Sequence, residues 1–249
     1  MRQIFINWIP SEMKIIVLLI ITSAIQSLFG VGVLLFGTPI LLLMGHPFIE
    51  SLLILLPVSL SINILQISKD YKYVDYSFYR NILVLTIPLI VLFLYFVAKI
   101  EMDVSLGIGI LLIVIGLKNY SNIVKIYLDK LLSYNKVFFV MTGIIHGMTN
   151  LGGSLLTAKV FSKDMDKLEK RSTVAISYLT FAVFQIFTIV ALEYRPDWSN
   201  FYYIAIGMST YLIVNKLVFQ KITNNKYDKL FAVFLFISGV SLIIKYFSW

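Results

Sequence analysis

Residues 21–35 read ITSAIQSLFGVGVLL, and residues 141–155 read MTGIIHGMTNLGGSL. The two stretches align without a gap at an offset of 120 positions, which pairs Thr22 with Thr142 and Gly32 with Gly152. Each stretch is an apolar segment that glycines and small polar residues interrupt near its middle. Interrupted apolar segments at corresponding positions of two halves point to the substrate site of a membrane transporter.

The composition excludes a soluble globular domain. The chain has 249 residues, of which 59% are hydrophobic and 14% are charged, and its mean hydropathy is +0.89. Several apolar runs approach the roughly 20 residues that a helix needs to cross a bilayer. The net charge of +8 comes largely from lysines in short loops, as the positive-inside rule expects, so no nucleic-acid partner is predicted. The absence of cysteine excludes a disulfide or a thiolate site.

The apolar runs predict two halves, each with one interrupted segment and three spanning helices. Residues 1–117 form the first repeat, 118–136 a cytoplasmic linker, and 137–249 the second repeat. The predicted spans cover residues 48–67, 81–98, 104–117, 173–192, 201–216 and 229–247. The expected fold is therefore an all-α polytopic membrane protein with duplicated halves.

Loop charge predicts how these segments cross the membrane. Three or four lysines and arginines lie in each of the loops 68–80, 118–136, 162–172 and 216–229, and loops 99–103 and 193–199 carry one each. All four basic loops are cytoplasmic only if the second interrupted segment, 137–160, is a re-entrant hairpin that returns to its starting side. The arms on either side of each break are also short for a full span. Three crossings per half then make the two repeats inverted, with both termini outside.

A helical hairpin inside the bilayer leaves free backbone amides at the start of its second arm, near Val33 and Ser154. The positive end of the helix dipole there favours an anion, and we expect the two tips to converge on one solute. Lys159 and Arg171 flank the basic loop 162–172, where they either draw anions to the mouth or, as is commoner, snorkel to the interface. The predicted substrate contacts are Ser23, Gln26, Ser27, Gly30, Gly32, Asn63, Gln66, His146, Thr149, Asn150, Gly152, Gly153, Ser154 and Gln185.

Several of these assignments have alternatives that the sequence leaves open. Gly143 and Gly147 have the GxxxG spacing that often serves helix packing alone. His146 can contact the substrate, carry a coupling proton, or stay neutral and hydrogen-bonded inside the bundle. Asn63 and Gln66 share a helix face, so they either line a cavity or bond neighbouring helices.

With these features, the chain resembles the TauE/SafE family of sulfite and organosulfonate exporters, also called the TSUP family. The resemblance rests on Gly30-Val31-Gly32 through Pro39, on Leu56-Pro57 with Asn63 and Gln66, and on Gly143, Gly147, Asn150-Leu151-Gly152-Gly153-Ser154 and Ala175. Val33 and Leu34 replace glycines of the fuller cluster that members usually carry. The resemblance implies movement of small, often sulfur-containing anions across a bacterial plasma membrane.

The sequence thus predicts a secondary transporter that exports sulfite, thiosulfate or an organosulfonate across the plasma membrane by alternating access. Coupling to a proton or sodium gradient is expected because the chain has no nucleotide-binding motif. Neither catalytic activity nor a cofactor or metal is expected, since no enzyme motif or cluster of metal ligands lies in the spans. A passive anion channel and a non-transporting accessory membrane protein remain the alternatives.

Overall fold

The computed structural model describes residues 10–100, 133–195 and 201–227, with 126, 130 and 197 as single residues between or beside them. The predicted spans 104–117 and 229–247 and most of the linker 118–136 lie outside the described residues. The helices are α1 (Ser11–Phe29), α2 (Val33–Leu43), α3 (Phe48–Asp70), α4 (Tyr76–Asn81), α5 (Ile87–Ile100), α6 (Asn135–Thr149), α7 (Gly152–Phe161), α8 (Lys167–Ala191) and α9 (Phe201–Leu217). One turn of π-helix, Ile82–Thr86, joins α4 to α5, and 3₁₀ turns cover Tyr71–Tyr73 and Phe219–Lys221.

Five helical segments in the described residues are long and apolar enough to cross a membrane. They are Ser11–Phe29, Phe48–Tyr73, Tyr76–Ile100, Lys167–Ala191 and Phe201–Lys221. Together with the helical character of every regular element described, they confirm an all-α polytopic membrane protein. The expectation that the first arm of the first hairpin is short for a full span is wrong. This arm begins at Ser11, its 19 residues extend about 28 Å, and it is one of the five span-length helices.

The two interrupted segments are helical hairpins. Gly30 ends α1 with a φ of 77°, and its amide donates to the Gln26 carbonyl at 2.8 Å. Asn150 ends α6 in the same left-handed conformation, with a φ of 61°, and its amide donates to the His146 carbonyl at 2.8 Å. A left-handed residue after the last helical turn caps that turn and redirects the chain.

Glycine at the start of each second arm allows the arm to lie directly on the first. A Cβ added to Gly32 would lie 2.5 Å from the Gln26 amide nitrogen, and one added to Gly152 would lie 2.7 Å from the His146 amide nitrogen. Both values are below any normal Cβ contact, so a larger residue would push the arms apart. Because positions 26 and 146 correspond at the same offset of 120, the local geometry of the first hairpin recurs in the second.

Small residues also set how the first arms pack on spanning helices. A Cβ added to Gly143 would lie 2.7 Å from the Thr86 carbonyl, and one added to Gly147 would lie 2.8 Å from the Ile90 carbonyl. These two glycines of α6 therefore let the helix approach the π-turn and α5 at backbone distance. In the other hairpin, the corresponding Ser27 donates its hydroxyl to the Tyr211 carbonyl of α9 at 3.2 Å.

The helices α3 and α8 pack against each other and run in opposite directions. Arg171, in the first turns of α8, pairs with Asp70 at the end of α3. At the opposite end of the bundle, a pocket of about 390 Å³ is lined by residues 47–50 at the start of α3, by Val97 and Ala98 of α5, and by Tyr194 just after α8. The beginning of each helix thus lies at the end of the other.

Parts of all four basic loops come together at one end of the bundle. Lys163 forms an ion pair with Asp75, which joins loop 162–172 to loop 68–80. The Lys167 ammonium group donates to the Phe219 carbonyl at 3.0 Å, which adds loop 216–229. The Lys159 ammonium group donates to the Asn135 side chain at 2.7 Å, next to the end of the linker 118–136. The placement of these residues on one side agrees with the distribution of loop charge.

Candidate functional site

Gln26 closes the start of the second arm in the first hairpin. Its side-chain carbonyl accepts a hydrogen bond from the Val33 amide, the first amide of α2, at 3.0 Å. Its side-chain nitrogen donates to the Ser59 carbonyl and to the Asn63 side-chain oxygen, each at 3.0 Å. With 1% of its surface exposed, Gln26 links α1, α2 and α3 inside the protein. The amide that would otherwise be free at this helix start already has an internal acceptor.

Further polar groups of α3 cover the end of α1. Gln66 donates from its side-chain nitrogen to the carbonyls of Gln26 and Ser27, at 3.0 and 3.3 Å. The Asn63 Nδ2, the Gln66 Oε1 and the Ser23 hydroxyl are buried and have no hydrogen-bond partner among the described residues. Asn63 and Gln66 thus bond a neighbouring helix, one of the two roles that their spacing allowed, and each keeps unused hydrogen-bonding capacity.

Arg171 lies buried beneath the turn of the first hairpin. Its guanidinium donates to the Ser27 carbonyl at 3.1 Å and to the Asn215 side chain at 2.8 Å, pairs with Asp70, and lies 3.4 Å above the Phe219 ring. Only 2% of the residue is exposed. The expectation that Arg171 snorkels is therefore wrong, because four helical segments supply acceptors and an aromatic face for the charge. This cluster lies at the basic end of the bundle.

The second hairpin has a different interior. His146 is fully buried, with its ring centroid 4.5 Å from that of Phe181 and 5.9 Å from that of Tyr178. Neither ring nitrogen makes a hydrogen bond of normal geometry to another described residue, although the Gln185 side chain lies beside the ring. The corresponding residue, Gln26, uses both ends of its side chain. The second hairpin therefore lacks the internal cap that the first one has.

Asn150 joins the turn of the second hairpin to two other helices. Its side-chain nitrogen donates to the Thr38 hydroxyl of α2 at 2.7 Å, and its side-chain oxygen accepts from Gln185 of α8 at 3.2 Å. Thr149 and Ser154 instead bond within the hairpin, to the carbonyls of Ile145 and Leu151. The turn is thus held mainly through Asn150, and Thr149 and Ser154 shape the chain locally.

Tyr178 approaches the first turn of α7. A Cβ added to Gly153 would overlap the Tyr178 hydroxyl and would lie 2.8 Å from the ring carbon Cε2. The hydroxyl is fully buried and makes no hydrogen bond of normal geometry to another described residue, although the Thr157 side chain lies beside it. Two side chains with unused donors, Tyr178 and His146, therefore lie at the start of the second arm of this hairpin. A helix start with free donors around it is suited to a small anion.

The turns of both hairpins contact α8. A Cβ on Gly30 would lie 3.0 Å from the Ala175 amide nitrogen, one on Gly153 would overlap the Tyr178 hydroxyl, and Asn150 bonds Gln185. Ala175 and Tyr178 are three residues apart, which is about one helical turn. Convergence of the two tips on one solute stays a prediction. The predicted site residues divide into a first-hairpin group (Ser23, Gln26, Ser27, Gly30, Gly32, Asn63, Gln66) and a second-hairpin group (His146, Thr149, Asn150, Gly152, Gly153, Ser154, Gln185).

The sequence did not identify Arg171 or Tyr178 as part of this interior, although a signal existed for Arg171. Asp166 and Glu169 form a capping box at the start of α8, which places Arg171 inside a helix and not in a loop. Nothing in the sequence marked Tyr178, because a tyrosine in an apolar run is usually a packing residue. Within the described residues, no group of three or more histidines and carboxylates could hold a metal ion.

Comparison with known proteins gives one match that covers nearly the whole chain. The family model described as "Sulfite exporter TauE/SafE" matches residues 15–242. Neither a curated protein nor a solved structure gives a significant match.

Proposed function

The chain belongs to the sulfite exporter TauE/SafE family, and from this premise we propose that it is a secondary transporter that exports a small anion by alternating access. Sulfite, thiosulfate and small organosulfonates are the substrates that we propose. The observation that carries the proposal is the pair of helical hairpins whose second arms, α2 and α7, begin inside the bundle. Helix starts at that depth provide positive potential and amide donors without a buried cation.

Inverted repeats are part of this proposal, and two observations support them. The hairpin geometry at Gly32 recurs at Gly152 with corresponding neighbours, and α3 and α8, which correspond at the same offset, run antiparallel. In addition, α1 packs on α9 of the other half, and α6 packs on α5 of the other half. A rocking motion between the halves would change both contacts together, as alternating access requires.

The proposed orientation places the basic end of the bundle in the bacterial cytoplasm. Ion pairs and hydrogen bonds of Lys163, Lys167 and Lys159 gather the basic loops at that end, and the positive-inside rule assigns it to the cytoplasmic side. The Arg171 cluster would then close the cytoplasmic side, and the 390 Å³ pocket would lie on the external side. Labelling of Asp164 and Lys130 from one side only supports this orientation, and labelling from opposite sides refutes it.

Transport by the purified protein in liposomes tests the function. With sulfite at equal concentration on both sides, an imposed proton or sodium gradient should drive sulfite accumulation in one compartment. Flux that only dissipates a sulfite gradient would instead identify a passive channel. Absence of flux for sulfite, thiosulfate and taurine would favour an accessory role. The protein denatured by heat before reconstitution provides the leak control.

A further inference from the structure

The starts of α2 and α7 correspond in sequence position but differ in the groups around them. In the first hairpin, the Gln26 side chain accepts from the first amide of α2 at 3.0 Å. In the second hairpin the corresponding residue is His146, whose ring nitrogens make no hydrogen bond to the rest of the described chain. The first amide of α2 therefore has an internal acceptor, whereas the residue at the corresponding position of the second hairpin supplies none to α7.

Two further pairs of corresponding residues differ in the same sense. Gly153 and Tyr178 correspond at the 120-residue offset to Val33 and Val58, and all four are buried. The two valines carry no side-chain donor. In the second hairpin, the glycine exposes the backbone of the first turn, and the tyrosine brings a hydroxyl against it. That hydroxyl makes no hydrogen bond of normal geometry to a described residue, with the Thr157 side chain beside it.

We propose that the transported anion binds at the second hairpin alone, at the first turn of α7, with the Tyr178 hydroxyl and a His146 ring N–H as its side-chain donors. This assignment rests on the proposed function. The backbone amides of the first turn and the positive end of the helix dipole supply the remaining attraction. Neutral donors arranged in this way suit a small anion with several oxygens, such as sulfite or thiosulfate. The first hairpin, closed by Gln26, acts as structural support.

The Tyr178 hydroxyl stands against Gly153 in this structure, so the ring must move aside to admit an anion. Tyr178 belongs to α8 and Gly153 to α7, so a small separation of these two helices opens the position. In the closed arrangement neither group makes a hydrogen bond of normal geometry to the described chain, although Gln185 lies beside the His146 ring and Thr157 beside the Tyr178 hydroxyl. The anion therefore competes with these two side chains alone for the donors.

Two variants test the assignment. Binding of sulfite and of thiosulfate to the full-length protein in detergent is measured by isothermal titration calorimetry. Tyr178→Phe removes the hydroxyl and keeps the ring. His146→Gln introduces at the start of α7 the residue that caps α2, so that the side chain competes with the anion. Each should weaken binding by roughly 10–100-fold, the value of one hydrogen bond to a charged acceptor. The thermal midpoint of His146→Gln without anion should be unchanged or higher.

Tyr79→Phe is the matched control. Its hydroxyl also contacts α8, through Thr180 at 2.7 Å, but on the side of α4 and away from α7, so its loss should leave anion affinity unchanged. Wild-type affinity in both test variants would overturn the site and leave the transport function standing if flux persists. If the wild-type protein neither binds nor transports the two anions, the site and the proposed function fall together. If His146→Gln does not fold, the affinity of Tyr178→Phe decides.

Discussion

Replacing Arg171 with methionine removes a charge on which four helical segments converge. The guanidinium bonds the Ser27 carbonyl and Asn215, pairs with Asp70, and stacks on Phe219. Methionine keeps much of the apolar volume of the arginine stem but has no donor. The substitution therefore leaves the Asp70 carboxylate, whose side chain is only 16% exposed, without its cation.

The magnitude follows from this burial. Breaking a buried ion pair by removing one partner costs about 3–5 kcal/mol, because the remaining charge stays in a poorly solvated place. For a chain of this length, 1 kcal/mol lowers the thermal midpoint by about 2–4 °C. Arg171→Met should therefore unfold roughly 6–20 °C below the wild type in a detergent-based thermal assay.

Lys163→Met is the matched control, because it breaks a second ion pair at the same end of the bundle. The side chains of Lys163 and Asp75 are 35% and 17% exposed, so solvent screens this pair more. Exposed pairs contribute about 0–1 kcal/mol, and the thermal midpoint should fall by a few degrees at most.

The double variant Arg171→Met with Asp70→Asn adds a second control. Removing the stranded carboxylate should recover a large part of the lost stability, since both charges are then absent. Equal losses for Arg171→Met and Lys163→Met would refute the reasoning. So would a double variant as unstable as the sum of its two single variants.

Two further predictions concern the hairpins and the basic end. Gly32→Ala and Gly152→Ala should each destabilise the protein by more than Gly45→Ala. Gly45 has a φ of 92°, but no atom lies within 4 Å of a Cβ added there. The free energies of unfolding of the three variants, measured by chemical denaturation, check this. Burial by itself raises the pKa of Asp75. Hydrogen bonds from Lys163 and from the Phe78 amide, together with the positive charge of Lys163, outweigh the effect of burial, so the pKa of Asp75 is lowered from 3.8. The pair therefore stabilises the fold above the unfolded pKa and loses this effect as pH falls through the lower folded value. The difference in stability between wild type and Lys163→Met should accordingly persist at neutral pH and shrink progressively as the pH falls below 3.8.

The helices and their breaks could be predicted because they depend on local sequence. The predicted spans 48–67, 81–98, 173–192 and 201–216 match α3, the α4–α5 segment, α8 and α9, with ends displaced by a few residues. Gly30 and Asn150 lie at the predicted breaks because a left-handed cap needs a residue that tolerates positive φ. The corresponding positions of Gln26 and His146 could also be read directly from the repeat.

The contacts of the buried polar side chains could not be predicted, because they depend on which helices pack against each other. Arg171 looked like a loop cation until α3, α9 and the end of α1 surrounded it with acceptors. Tyr178 became notable only when α7 placed Gly153 against its hydroxyl.

The sequence by itself determined that this chain is a helical membrane protein with two similar hairpins, since apolar length, glycine breaks and loop charge act locally along the chain. Only the tertiary structure decided that the hairpins have different interiors. Gln26 caps the start of α2, whereas the ring nitrogens of His146, at the corresponding position, make no hydrogen bond of normal geometry to the described residues. The contacts that make this difference join residues 7 to about 40 positions apart, and only the packing of the helices brings such residues together.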